Sequence, residues 1–113
     1  MKTNLRFRNS ILYIKIDGVL VGNKVQQFES EVIPIILGLK TKYVTINLKN
    51  VELIDKRGID SLIKIADLTN RFKGKVALCE LSKYIIDNFK HSDIFDYCFK
   101  TKNENTSLEV FKL

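Results

Sequence analysis

Apolar and polar positions alternate from the first residues of the chain. Leu5 and Phe7 fall between Asn4, Arg6 and Arg8, and Leu12, Ile14 and Ile16 continue the alternation after Asn9-Ser10. A period of two is that of a half-buried strand, and Asn-Ser suits a tight turn, so residues 3–17 are predicted to form a β-hairpin with one wet face. Beyond Asp17-Gly18 the period lengthens. Val25, Phe28, Val32, Ile35, Ile36 and Leu39 recur at spacings of three and four, the stripe of an amphipathic helix, with Asn23 as its capping residue and Gln26 three positions on. Pro34 lies inside this pattern and removes the backbone bond to the Ser30 carbonyl, which predicts a kink or break near Ile33. Gly38 or Lys40-Thr41-Lys42 should end the helix.

Tyr43-Val44-Thr45-Ile46-Asn47-Leu48 is rich in β-branched and aromatic residues and reads as a central strand. Lys49–Ile54 is a connector to Asp55, whose side chain suits an N-cap. Ile59, Leu62, Ile63, Ala66 and Leu68 then carry a second helix to about Phe72. Lys73-Gly74-Lys75 breaks it, Val76–Leu81 supplies a fourth strand, and Ser82 caps a third helix over residues 83–90, with Tyr84, Ile85 and Phe89 turned inward. Asp96–Lys100 reads as a short fifth strand. Thr106–Leu113 fits either a last helical turn or two, or a strand. Strands separated by helices imply right-handed crossovers and a mainly parallel sheet. No linker or repeat divides the chain, so residues 1–113 are expected to be one domain.

Composition narrows the class of function. With 113 residues, 45% of them apolar, the chain can bury roughly two-thirds of its unfolded surface without staples. Cys79 and Cys98 are too few for a disulfide scaffold or a four-ligand zinc site, and suit free thiols in a reducing cytoplasm. The run Val32–Leu37 falls far short of the ~20 residues of a membrane span, and Met1–Arg6 leads into alternation rather than an apolar leader. A cytoplasmic protein is expected. The net charge of +6 invites a nucleic-acid or acidic-membrane reading. Yet Lys outnumbers Arg fifteen to four, Asn and Ile abound, and Ala occurs only at 66 and 77, a bias that spreads Lys over a surface without choosing a site. The charge is therefore not read as a nucleic-acid footprint.

Catalytic patterns are sparse. His91 is the single histidine and lies in a polar stretch at a helix end. Gly18-Val-Leu-Val-Gly22 lacks the spacing of a dinucleotide loop, and no Walker sequence occurs. The carboxylate pairs Glu29/Glu31 and Asp93/Asp96 fall on predicted exposed faces. No cofactor, metal or catalytic residue is assigned, and the protein is not expected to be an enzyme. One segment breaks a local rule. If Asp55 caps its helix, Lys56 and Arg57 occupy a first turn that is already electropositive, at a cost of a few tenths to ~1 kcal/mol each. Asp55, and Asp60 three residues from Arg57, would offset part of that.

The same segment carries a resemblance. Ile46–Leu62, with Ile54-Asp55-Lys56-Arg57-Gly58 at the turn, resembles the strand, turn and helix signature of STAS domains, the fold of bacterial anti-sigma factor antagonists. Asp17-Gly18-Val19-Leu20, Gly74–Leu78 and Ser92–Phe99 are similar to three further family motifs, in the family's order. The resemblance implies an α/β fold with a mixed, mainly parallel sheet of four to five strands, an N-terminal antiparallel hairpin, and helices chiefly on one face. It also implies a domain that docks on an anti-sigma factor with serine-kinase activity and is released by phosphorylation of a Ser or Thr just before the signature Gly. Here that phosphoacceptor position is Arg57, its neighbour is Lys56, and Val21 replaces an acidic residue. Ser61, one turn on, is a poor substitute. The expected function is a protein-interaction module, regulating transcription, that lacks this phosphoswitch. Its partner surface would comprise Val21, Gly22, Asp55, Lys56, Arg57, Gly58, Ile59 and Asp60. The alternative is a non-catalytic subunit of a larger complex, such as a lipid-transport ATPase assembly. A monomer or weak homodimer is expected.

Overall fold

In the computed structural model, which describes residues 1–113, the chain builds one six-stranded sheet and five helices. Strands β1 (Lys2–Arg8) and β2 (Ile11–Leu20) form the expected hairpin, paired antiparallel from Lys2↔Asp17 to Arg8↔Ile11. Its two-residue turn places Asn9 and Ser10 both at positive φ, 54° and 67°, as a primed turn requires. Asn tolerates that conformation and Ser does so at a cost. Ser10→Gly should accordingly raise stability by about 0.5 kcal/mol, read as a higher urea midpoint at unchanged slope.

Helix α1 (Asn23–Leu39) crosses to β3 (Tyr43–Asn47), which lies parallel to β2. Then follow β4 (Val51–Ile54), α2 (Lys56–Arg71), β5 (Lys75–Cys79), α3 (Lys83–Phe89), α4 (Ile94–Tyr97), β6 (Phe99–Lys100) and α5 (Ser107–Phe111). β5 pairs parallel with β3 and with β6.

The structure corrects several sequence readings. Lys49–Ile54 is not merely a connector, because its last four residues are β4, paired parallel with the end of β2 across a register shift between Gly18 and Val19. Residues 96–100 divide between the single turn of α4 and a two-residue β6. The tail is helical. Pro34 does not break α1, which continues to Leu39. Both Ser30, whose carbonyl loses its donor, and Pro34 are exposed, so water can take the freed carbonyl while Phe28, Val32 and Ile36 anchor the helix from the other side. Asn23 is not the cap of α1; Gly22 is, and no side chain caps that helix. Ile35 and Leu39, expected in the buried stripe, are exposed because the stripe narrows to Val25, Phe28, Val32 and Ile36.

The main core lies between one sheet face and the helices α1 to α4. It is built on Leu12, Ile14 and Ile16 from β2, Val44 and Ile46 from β3, Phe28 and Val32 from α1, and Leu62 and Ile65 from α2. The opposite face is not simply wet, as the alternation had suggested, because α5 covers part of it. Phe111 packs there on Ile11, Tyr13 and Ala77, and the buried hydroxyls of Thr45 and Ser107 meet at 2.9 Å.

Candidate functional site

Two parallel strand ends position the site. Leu20 of β2 lies opposite Ile54 of β4, so the turn into α1 and the start of α2 leave the sheet side by side. Asp55 joins them. Its Oδ1 accepts the Gly58 N–H at 2.9 Å, capping α2, and its Oδ2 accepts the Gly22 N–H at 2.9 Å, holding the turn of the other crossover. Burial pushes the Asp55 carboxyl up, but these two N–H donors and the nearby Arg57 charge outweigh it and hold its pKa below the ordinary Asp value.

Both glycines are required. Gly22 has φ 54° and ψ −127°, a region closed to side chains with a Cβ. At Gly58 a Cβ would stand 2.3 Å from the Leu20 carbonyl oxygen and 2.8 Å from Ile54 Cγ1. The missing side chain is what lets α2 start against the end of β2. From the start of α3 Tyr84 supports the same point, its hydroxyl accepting the Ile54 N–H at 3.1 Å. Tyr84 is thus not an inward core residue as expected, since its ring is exposed and its oxygen does the work.

The two cations of the first turn stand in solvent on this frame. Lys56 Nζ is 3.0 Å from Asp60 Oδ2, so Asp60 pairs with Lys56 rather than with Arg57 as its three-residue spacing suggested. Arg57 makes no ion pair. Gly58 and Ile59 are buried behind the surface, and Val21 and Gly22 are half-buried at its margin.

The ridge of Lys56 and Arg57 separates two open grooves. On the α1 side a groove of about 330 Å³ is lined by Arg57, Gln26, Glu29, Ser61 and Lys64. Sequence reading missed this group: Glu29 was expected on an exposed face, yet it accepts the Ser61 hydroxyl at 2.6 Å and lies 3.1 Å from Lys64 Nζ, fastening α1 to α2. The signal was present in the four-residue steps Val25 to Glu29 and Arg57 to Ser61, which put each on a helix flank. On the other side a groove of about 790 Å³ lies between α2 and the segment after α3, lined by Lys56, Asp60, Asn88, His91 and Asp93.

Nucleophilic chemistry finds little support in these side chains. Ser61 is only 2% exposed and its hydroxyl is engaged. Cys79 and Cys98 are free and buried, and burial pushes both thiols up to about 12, leaving essentially no thiolate at neutral pH. No three His, Cys, Asp or Glu side chains are grouped so as to hold a metal ion. No helix is long and apolar enough to cross a membrane.

Residues 2–107 match the STAS domain family, nearly the whole chain. The chain belongs to that family. Comparison with curated proteins finds no match. Solved structures carry the same fold at low identity. A Ser-to-Glu variant of RsbS from Moorella thermoacetica superposes with TM-score 0.82 at 18% identity, over 99% of this chain and 96% of that one. The anti-sigma factor antagonist SpoIIAA in its unphosphorylated form gives TM-score 0.76 at 13% identity, over 98% of both chains. The murine anion transporter Slc26a9 gives TM-score 0.78 at 12% identity, over 91% of this chain but 18% of the transporter. The expected α/β architecture, with its antiparallel opening hairpin and otherwise parallel pairing, is therefore that of a STAS domain resembling anti-sigma factor antagonists.

Proposed function

We propose that this STAS domain binds a protein partner constitutively through the ridge of Lys56, Arg57 and Asp60, flanked by Val21 and Gly22 and held by Asp55. In this reading it is an antagonist-type module acting on an anti-sigma factor with kinase activity, in the cytoplasm, without a phosphoswitch at this turn. The observation that carries the reading is the unpaired Arg57 guanidinium, exposed at a rigidly built helix start where the family resemblance places a hydroxyl. Arginine has no hydroxyl for a serine kinase to phosphorylate there, and its fork can hold a partner carboxylate by two hydrogen bonds. The positive end of α2 strengthens that attraction. Gly58 and Ile59 contribute by supporting the ridge.

The test begins with capture of partners on immobilised wild-type protein and their identification by mass spectrometry. Lys56→Ser/Arg57→Ser should then weaken affinity for the captured partner at least tenfold, about 1.4 kcal/mol. Undiminished affinity removes the ridge from the interface. Incubation of the wild type with ATP and a captured kinase should leave residues 55–60 without phosphate.

A second reading, a non-catalytic subunit of a larger complex such as a lipid-transport ATPase assembly, draws on the same loss of a hydroxyl. Slc26a9, where a STAS-like region is a minor part of a longer chain, gives it a precedent in architecture. Co-purification with an ATPase rather than an anti-sigma kinase would favour it.

A further inference from the structure

The two edges of the sheet are unlike. β6 offers two residues, too few to template another strand, whereas β1 offers seven, Lys2–Arg8, with one side paired along its length to β2 and the other unpaired. An open edge of that length invites strand addition. Its side chains are sorted by the register with β2. Thr3, Leu5 and Phe7 lie opposite Ile16, Ile14 and Leu12, on the face covered by α1, while Lys2, Asn4, Arg6 and Arg8 lie on the face of α5.

On the α1 face the edge borders uncovered apolar surface. Phe7 is 59% exposed, Leu39 56% and Ile35 38%. Glu29 marks the flank of α1 that meets α2, and helical spacing puts Ile35 and Leu39 on the other flank, over the β1 side. The last turn of α1 leads into Tyr43, and the neighbouring Val44 shares a row with Leu12 and hence with Phe7. Phe7, Ile35 and Leu39 thus rim one end of the same edge.

On the other face the row is cationic. Arg6 is occupied, 2.7 Å from Glu104 and stacked over Tyr13 at 5.1 Å. Lys2 and Arg8 make no ion pair, and Lys15 stands beside Asn4. This row decides between occupants. A second copy pairing antiparallel about Leu5 would set Lys2 against Arg8 at both ends, and pairing about Asn4 or Arg6 would set Lys2 against Arg6 or Arg6 against itself. Like charges directly opposite oppose each of these registers. An acidic strand meets the reverse situation.

We infer that the free edge of β1 is a second docking surface, separate from the Lys56–Arg57 ridge. It takes up an extended segment of a protein partner in which acidic residues alternate with β-branched or aromatic ones. The added backbone completes the ladder, the acidic side chains meet Lys2 and Arg8, and the apolar ones cover Phe7, Ile35 and Leu39.

Titration of the full ¹⁵N-labelled chain with a nine-residue Glu/Val alternating peptide tests this. Saturable shifts and slowed amide exchange should appear at residues 2–8 and 35–39, and a Lys/Val peptide of equal length should bind about fivefold more weakly or worse. Arg8→Glu, with its circular dichroism unchanged, should reverse that preference, and Lys56→Ser/Arg57→Ser should leave it intact. Absence of saturation up to roughly 1 mM, equal binding of both peptides, or shifts centred on residues 55–60 would overturn the assignment. A wild-type dimer in sedimentation with slowed amide exchange at residues 2–8 in the absence of peptide would give the edge to a second copy instead, and overturn it equally.

Discussion

Gly58→Ala should lower stability by about 3 kcal/mol and the thermal midpoint by roughly 10 °C, followed by circular dichroism. The added methyl meets a backbone carbonyl, Leu20 O at 2.3 Å, and that atom belongs to the end of a paired strand. It cannot swing aside as a side chain would. Relief requires α2 to withdraw from β2, which stretches both Asp55 hydrogen bonds and uncovers Leu62 and Ile65. Gly38→Ala is the matching control. It too sits in a helix, but a Cβ there meets nothing within 4 Å, so the change should be neutral or stabilising by about 0.5–1 kcal/mol. Equal effects at the two positions would contradict the close approach at Gly58.

The second large effect is expected at Asp55. Asp55→Ala removes the cap of α2, about 1 kcal/mol, and leaves the Gly22 N–H without its acceptor, about 1–2 kcal/mol more. A total near 2–3 kcal/mol should appear in urea unfolding at pH 7. The loss carries a pH signature. The carboxyl has a lower pKa folded than unfolded, so its stabilisation is present above the unfolded value, near 3.8, and disappears as pH falls through the folded value. The gap between wild type and Asp55→Ala should accordingly shrink from pH 7 towards pH 2. A gap independent of pH would mean that the charge of Asp55 contributes nothing. Glu104 adds the same sign of acid sensitivity in both proteins, because Arg6 and Asn47 hydrogen bonds, opposing its burial, hold its pKa down. The comparison therefore isolates Asp55.

Much of this molecule follows from short-range rules. The hairpin needs only alternation and a two-residue turn, and α2 needs only Asp55, a Gly three residues on, and a 3.6-residue apolar period. Both appear where expected, and Asp55 and Ser82 cap their helices as their residue types predict. β4 was missed for a physical reason. Its four residues carry buried Val51 and Ile54 around exposed Glu52 and Leu53, so there is no alternation: Gly18 pairs with Val51 and Val19 with Leu53, which leaves Glu52 as an extra, unpaired residue on β4. Pro34 misled in the other direction, since one missing hydrogen bond on a solvated face costs less than the burial that Phe28, Val32 and Ile36 secure.

The candidate site divides along the same line. That Asp55 caps a helix and that two cations crowd its first turn were legible from five consecutive residues, because capping and the helix dipole act within one turn. That Asp55 also holds Gly22, that Asp60 chooses Lys56 over Arg57, and that Glu29 binds Ser61 and Lys64 were not. Two of these contacts join residues about thirty positions apart, and the third is a choice between neighbours made by side-chain direction on a formed helix. By itself the sequence determined the opening hairpin, the helices α1 to α3, the caps Asp55 and Ser82 and the pair of cations before Gly58, since each depends on residue type and local spacing. The tertiary structure alone decided which charges remain free, which grooves flank them and which strand edge stays open, since those depend on what the folded chain brings close together.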